Sequence, residues 1–356
     1  MKTFRRAAVC CGLLAALAGL ILYPQEASAA VRDGLRLCAQ LLIPSLFPFF
    51  LCINLAANLG VTDLLARAAA PLMRALFHVS GDGSAVLLFG LLGGYPAGAQ
   101  CAAALRRTGR ISQEEADYLL LFCNNAGPAF LFGVAGSLFG GVYAALLLWG
   151  AQMVSALLLG LLHRPRTLPP AAPPAAKDAQ PFSAAFLAAV QDAAQTCFQV
   201  MAFVTAFSVL ARFLTLGWKV FAPPESALLL GGLLELSSGL CALGASSLPA
   251  LWKLTAAGGL CAFGGLCVLL QTKAVLASAG LRGRGIPGAK AAQALLAALL
   301  TFLFARLLPL EAVPAAQFSV PLCLFPIQAA LAAGFCLVCR KLRLDIPAET
   351  RYNRRK

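Results

Sequence analysis

Gly93-Gly94-Tyr95-Pro96-Ala97-Gly98-Ala99-Gln100 and Phe122-Cys123-Asn124-Asn125-Ala126-Gly127-Pro128 are two helix-breaking polar motifs set inside apolar sequence. Hydrocarbon cannot solvate peptide groups, so a broken backbone at membrane depth survives only where protein or a watery cavity surrounds it. Each motif has a fainter counterpart in the second half of the chain: Gly232-Leu233-Leu234-Glu235-Leu236-Ser237-Ser238-Gly239, and Gly264-Gly265 with Gln271 downstream. Paired interruptions at corresponding places in two halves are the sequence mark of a transporter binding site.

Composition sets the same frame. The chain has 356 residues, 60% hydrophobic and 12% charged, with mean hydropathy +0.82. A soluble domain carries about 25% charged residues, so this is a polytopic membrane protein. The net charge of +14 sits mainly in clusters around Lys2–Arg6, Arg106–Arg110, Arg164–Arg166, Arg282–Lys290 and the segment after Cys339. The positive-inside rule accounts for that bias without nucleic acid, and the tail is placed to meet anionic lipid. The thirteen cysteines fall almost all in apolar runs, where Cys acts as a small hydrophobe. Cys336-x-x-Cys339 has no second pair, and His78 and His163 stand far apart, so neither metal nor cofactor is expected.

Apolar runs predict spans near 7–23, 37–60, 118–139, 141–162, 196–217, 255–280, 291–309 and 318–339, with broken stretches at 84–105 and 226–246. Reading the broken stretches as re-entrant hairpins puts every basic cluster on the cytoplasmic face. The fold expected is therefore an all-α polytopic membrane protein, with about eight spanning helices, two re-entrant hairpins and an inverted internal repeat. Residues 1–29 form a signal-like but uncleaved first span. Residues 30–163 are the first repeat, 164–182 a Pro/Ala-rich cytoplasmic linker, and 183–310 the second repeat. A last span (311–339) and a basic cytoplasmic tail (340–356) follow. Ala30-Val31-Arg32-Asp33 echoes Ala189-Val190-Gln191-Asp192, and Asn124-Asn125 falls opposite Gly264-Gly265, an offset of about 140 residues. Ser112-Gln113-Glu114-Glu115 has capping-box form and predicts a helix start facing the cytoplasm.

The candidate site draws on both halves. Gly94, Pro96 and Gly98 shape a turn whose amides can hold a polar group, with Tyr95 and Gln100 as side-chain donors. Tight small-residue packing without a ligand is the alternative. Asn124 and Asn125 are costly in an apolar run unless partnered, and Gly127-Pro128 supplies the irregularity that lets both face one cavity. They contact substrate or ion, or else act as interhelical glue. Glu235, with Ser237 and Ser238 after it, is read as the only carboxylate in an apolar stretch, and Lys273 as the matching intramembrane ammonium. Glu235 carries a coupling proton, binds a cation, or pairs with Lys273 or Arg212. Gln271 completes the second half of the site. No Walker loop, nucleophile elbow or His-Glu-x-x-His motif is present, so an enzyme is not expected.

The segments IPSLFPFF (43–50), GGYPAGA (93–99), RRTGRISQEEA (106–116), FCNNAGPAF (122–130), GLLELSSGL (232–240) and FGGLCVLLQ (263–271) resemble the YlbJ family of sporulation integral membrane proteins. That family belongs to the wider group carrying the nucleoside-recognition, or Gate, domain. The resemblance implies a two-repeat membrane protein of spore formers, related in architecture to concentrative nucleoside transporters. It further implies transport of a small organic anion, dipicolinic acid, from mother cell toward forespore, with a coupling proton or cation. Nucleoside or nucleobase transport, and a non-transporting scaffold for spore maturation, are the alternatives. Carried over by position, Gly94, Tyr95, Pro96, Gly98, Asn124, Asn125, Gly127, Pro128, Glu235, Ser237, Ser238 and Gln271 would line the site. The expected location is a multi-pass bacterial cell membrane, with the forespore outer membrane one possibility and both termini cytoplasmic. Assembly as a homo-oligomer or with other sporulation membrane proteins is left open.

Overall fold

Every described element is a helix, as a chain with so few polar backbone partners in lipid requires. The computed structural model describes residues 2–166, 181–218, 220–277 and 279–307. Most of the expected linker, the span at 318–339 and the basic tail lie outside them. Residues 1–313 form one compact unit, so the two halves share a single body.

The first half opens with α1 (Lys2–Leu22) and α2 (Pro24–Asn58). A π-turn at Cys38–Leu42 inside α2 precedes Pro44 and Pro48, absorbing the amide donors those prolines lack. Then come α3 (Val61–Phe77), α4 (Gly83–Leu92), α5 (Ala97–Arg107), α6 (Gln113–Leu120), α7 (Pro128–Phe139) and α8 (Val142–Leu162). The second half runs α9 (Phe182–Trp218), α10 (Pro224–Leu234), α11 (Leu236–Ala245), α12 (Ala250–Phe263), α13 (Gly265–Ala277) and α14 (Ile286–Leu307). With α1 and α3 set aside, one order serves both halves: a long helix, a pair of short helices, a helix broken near its middle, and an unbroken helix.

The short pairs are the predicted interrupted stretches, and the same device closes each. A methyl on Gly90 of α4 would lie 1.5 Å from the Cys123 carbonyl oxygen, and one on Gly98 of α5 would lie 2.9 Å from Gly90 Cα. In the second pair, a methyl on Gly239 would lie 2.1 Å from Gly232 Cα. Only glycine permits such backbone contact. Elsewhere α12 meets α14 where Gly258 faces Thr301, and α6 meets α8 where Tyr118 donates to Gly160 O at 2.7 Å.

Five stretches among the described residues are long and apolar enough to cross a membrane: Pro24–Asn58, Val142–Leu162, Phe182–Trp218, Ala250–Ala277 and Ile286–Leu307. The expected span at 118–139 is two helices joined by an extended link at 121–127, because Gly127-Pro128 disfavours helix before it. The apolar part of α1, Cys10–Leu22, is shorter than a full crossing. Leu146, Leu158, Phe198, Leu295 and Leu299 point outward toward where lipid would lie. Two interior clusters hold the unit together, one around Leu42, Leu131, Leu240 and Cys261, the other around Phe77, Ile111, Leu119 and Phe122. Lipid is as apolar as these side chains, so close contact, not expulsion from water, favours their association.

Candidate functional site

The Asn124-Asn125 link is where the two halves are stitched together. Asn124 Nδ2 donates to Thr272 Oγ1 of α13 at 2.8 Å. Asn125 Nδ2 donates to Phe122 O at 2.6 Å, which turns its Oδ1 toward α14. That oxygen accepts from Lys290 Nζ at 3.1 Å and Gln293 Nε2 at 2.7 Å. Lys290 Nζ also donates to Gln293 Oε1 at 2.8 Å and lies 5.4 Å from the centre of the Tyr95 ring. Asn125 and Gln293 are fully buried and Lys290 is 1% exposed.

The first interrupted motif holds this link from the other side. Gly94 has φ +74°, and a methyl there would fall 2.4 Å from Gly127 N, so the turn touches the broken span backbone to backbone. Tyr95 reaches across to α12, its hydroxyl donating to Ala262 O at 3.1 Å beside the helix break at Gly264 (φ +83°). Pro128 opens α7 at a first-turn position that needs no amide donor. From α8, Gln152 Nε2 donates to Ala126 O at 2.6 Å.

In the second motif Glu235 is the break itself, with extended φ −136° and ψ 113° between α10 and α11. Its carboxylate caps α11, accepting from Ser237 N at 3.0 Å and Ser238 N at 2.6 Å. The ion pair considered with Lys273 or Arg212 does not form. Lys273 is exposed, and Arg212 bonds Asp33 at 2.7 Å and approaches Glu26 at 3.5 Å. Two adjacent amides satisfy the glutamate locally, and that removes the need for a distant cation.

A cavity of about 650 Å³ opens beside this junction. Of the expected site residues, Pro96, Gln100 and Gln271 line it, joined by Asn54, Asn58, Thr196 and Gln199. Gln100 Nε2 donates to Thr196 Oγ1 at 3.1 Å, while Gln271 bonds Cys267 Sγ at 3.4 Å. Arg107, Arg110 and Asp192 also line it, with Arg110 paired to Asp82. A second cavity of about 300 Å³ holds Ser238 together with Asp33, Ser208 and Arg212. Ser237 is buried at the start of α11. The structure therefore brings Tyr95 and Asn125 together around Lys290, ties Asn124 to Thr272, puts Gln100 and Gln271 in the adjoining cavity, and leaves Ser238 in the other.

Sequence reading missed Lys290, Gln293, Thr272 and Glu115. Lys290 was grouped with the loop arginines Arg282 and Arg284, although Pro287 in the first turn of α14 marks a helix start before it. Gln293 stands about 140 residues after Gln152, the offset already visible elsewhere. Glu115, 1% exposed, is a second buried carboxylate beside Glu235, although it comes from a polar stretch of sequence. Ser112 Oγ does cap α6 through Glu115 N at 3.1 Å, but the Glu115 side chain accepts from Ser80 N at 2.7 Å instead of closing the box. The one cation and the one carboxylate among these four, Lys290 and Glu115, were thus placed by contacts that local sequence does not contain.

Comparison with known proteins agrees with this arrangement. The nucleoside-recognition family Gate matches residues 39–209. The sporulation integral membrane protein YlbJ of Bacillus subtilis (strain 168) is 36% identical over 148 residues, 41% of this chain and 36% of that protein's length. Among solved structures, a doubly substituted CNTnw in an outward-facing state gives a TM-score of 0.52 at 16% identity, covering 74% of this chain and 75% of the other. CNTnw in an intermediate state gives 0.53 at 15% identity, covering 86% of each. At such identities the likeness is one of fold. The resemblance carried by the motifs is thereby shown: this integral membrane chain is similar to the Gate family over residues 39–209 and to YlbJ over 148 residues, on a fold similar to that of CNTnw.

Proposed function

We propose that the protein is a secondary transporter of a small organic anion, dipicolinate being the leading substrate, moved during spore formation. The observation that carries the reading is the junction itself. The first short-helix pair and both broken helices meet at polar contacts beside a cavity of about 650 Å³, within the volume range of small-molecule sites. The second pair packs on the second broken helix where Gly265 meets Leu236 N. The relatives contribute the terms nucleoside recognition, sporulation and concentrative nucleoside transport. Each short pair is a re-entrant hairpin, and the halves are inverted about the membrane plane. The termini and the cluster Arg106–Arg110 face the cytoplasm. The larger cavity, lined by Arg107 and Arg110, then opens inward, and the smaller one, lined by Asp33 and Arg212, opens outward.

In this scheme Gln100, Gln271, Asn54 and Gln199 offer hydrogen bonds to the carboxylate oxygens and ring nitrogen of a planar substrate. The arginines at the cavity wall attract the dianion. Asn124 Oδ1 is buried without a donor among the described residues, an acceptor open to a coupling proton carrier or cation. Protonating Glu235 would loosen its two charge-assisted bonds and free the second hairpin. The amide-rich lining suits a nucleobase edge as well, and this is the second reading.

Uptake of labelled dipicolinate into proteoliposomes, with and without a proton gradient, tests the proposal. Saturable, gradient-dependent uptake that falls in Glu235→Gln and Gln271→Leu supports it. Competition by nucleosides but not by unlabelled dipicolinate would move the assignment to the second reading. No uptake of either, from correctly folded protein, would favour a scaffold.

A further inference from the structure

Lys290 is a buried ammonium without a carboxylate in contact among the described residues, an arrangement that costs several kcal/mol unless the surroundings replace water. Its surroundings do so with oxygens and an aromatic face. Gln293 Oε1 and Asn125 Oδ1 lie at 2.8 and 3.1 Å, and the Tyr95 ring centre at 5.4 Å. Each amide commits its NH₂ group elsewhere: Asn125 to Phe122 O, Gln293 to Asn125 Oδ1. Both oxygens are therefore held toward Nζ, as they would be toward a bound ion. Neutral oxygen ligands plus an aromatic face suit a weakly hydrated monovalent cation better than a divalent one, which recruits carboxylates.

We infer that Asn125, Gln293 and Tyr95 form a monovalent-cation site, and that the chain fills this site with its own tethered ammonium, Lys290. Tethering removes the association entropy that a dissolved ion would lose on binding. The site clamps three separate elements: the first hairpin turn through Tyr95, the broken span through Asn125, and α14 through Lys290 and Gln293. The clamp therefore holds without inorganic sodium or potassium. This inference concerns the junction alone, whether or not the protein transports.

The test reads thermal stability of the purified full chain in detergent, so it does not depend on any substrate. Wild type should melt at the same temperature in sodium chloride, potassium chloride and choline chloride. Lys290→Ala should melt roughly 5 °C or more lower in choline chloride. It should regain at least about half of that loss in methylammonium, ammonium or potassium chloride, saturably. Choline, too large for the vacated space, is the control. A Lys290→Ala melt that responds to methylammonium no more than wild type overturns the inference. If Lys290→Ala yields no folded protein, Lys290→Met decides, since it keeps the length and removes the charge. A Lys290→Met melt within about 2 °C of wild type overturns the site; a loss comparable to that expected for Lys290→Ala supports it.

Discussion

Adding a single methyl group at graded distances from its neighbours tests the helix-pair packing directly. On Gly90 the new carbon would stand 1.5 Å from Cys123 O, whereas a carbon–oxygen contact normally relaxes near 3.3 Å. The two backbones must therefore separate by about 1.8 Å, and no side-chain rotation can relieve the clash because the obstructing atom is a carbonyl. Overpacking typically costs about 1–3 kcal/mol, and this position belongs at or above the top of that range. Gly239→Ala faces Gly232 Cα at 2.1 Å and should cost nearly as much. Gly98→Ala meets Cys123 O at 2.7 Å and should cost less. Gly244→Ala finds only ordinary contacts from 3.5 Å outward, and Gly150→Ala finds nothing within 4 Å. Both sit inside helices, where alanine is favoured over glycine by up to about 1 kcal/mol, so they should be neutral or stabilising. Melting temperatures of the five variants in one detergent should fall in the order Gly150 and Gly244, then Gly98, then Gly239 and Gly90. Stability of Gly90→Ala equal to that of Gly150→Ala would refute backbone contact between the first helix pair and the link at Cys123.

Other expectations concern charge and hydrogen bonding. Burial lifts the Glu115 carboxyl above its usual range, against the lowering effect of the Ser80 hydrogen bonds and with a smaller contribution from Asp82. A carboxyl raised on folding contributes stability below its unfolded value near 4.3 and loses it as pH rises through the folded value. Thermal melts across pH 4–9 should show Glu115→Gln gaining on wild type as pH increases, because glutamine keeps an acceptor for Ser80 N; a constant gap would sink this account. Asn124→Leu removes the bond to Thr272 Oγ1 and should cost about 1 kcal/mol of stability, while reducing proteoliposome uptake far more than that loss explains. Arg212→Ala should lower stability by less than about 1 kcal/mol, since the arginine and Asp33 are 37% and 59% exposed. A larger drop in the melting temperature would mean that this pair closes the smaller cavity. Glu235→Gln replaces a charged helix cap by a neutral one and should cost roughly 0.5–2 kcal/mol, measurable by chemical denaturation in mixed micelles.

What the sequence determined by itself was the class of molecule and the places where its helices break. Hydropathy fixed a membrane protein because apolar side chains have no other solvent at this density. Gly93–Pro96 and Gly127-Pro128 announced their breaks because glycine and proline act on their own backbone, a local effect readable without partners. Asn124 and Asn125 were legible as a junction because two amides in an apolar run must find partners somewhere. Which partners they found was not legible. Lys290 looked like one more loop charge, and only the packing of α14 against the broken span turned it inward to Asn125 and Tyr95. The reverse holds for Lys273, which sits in an apolar run yet points outward. Glu235 stood out as a carboxylate in an apolar stretch, but its two bonds to Ser237 N and Ser238 N follow from backbone geometry at the break. Spacing along the chain fixes where a side chain leaves the backbone, whereas the direction it faces in a bundle depends on helix rotation and contact. Those are set jointly by residues more than a hundred positions apart, and that is why the network belongs to the tertiary structure alone.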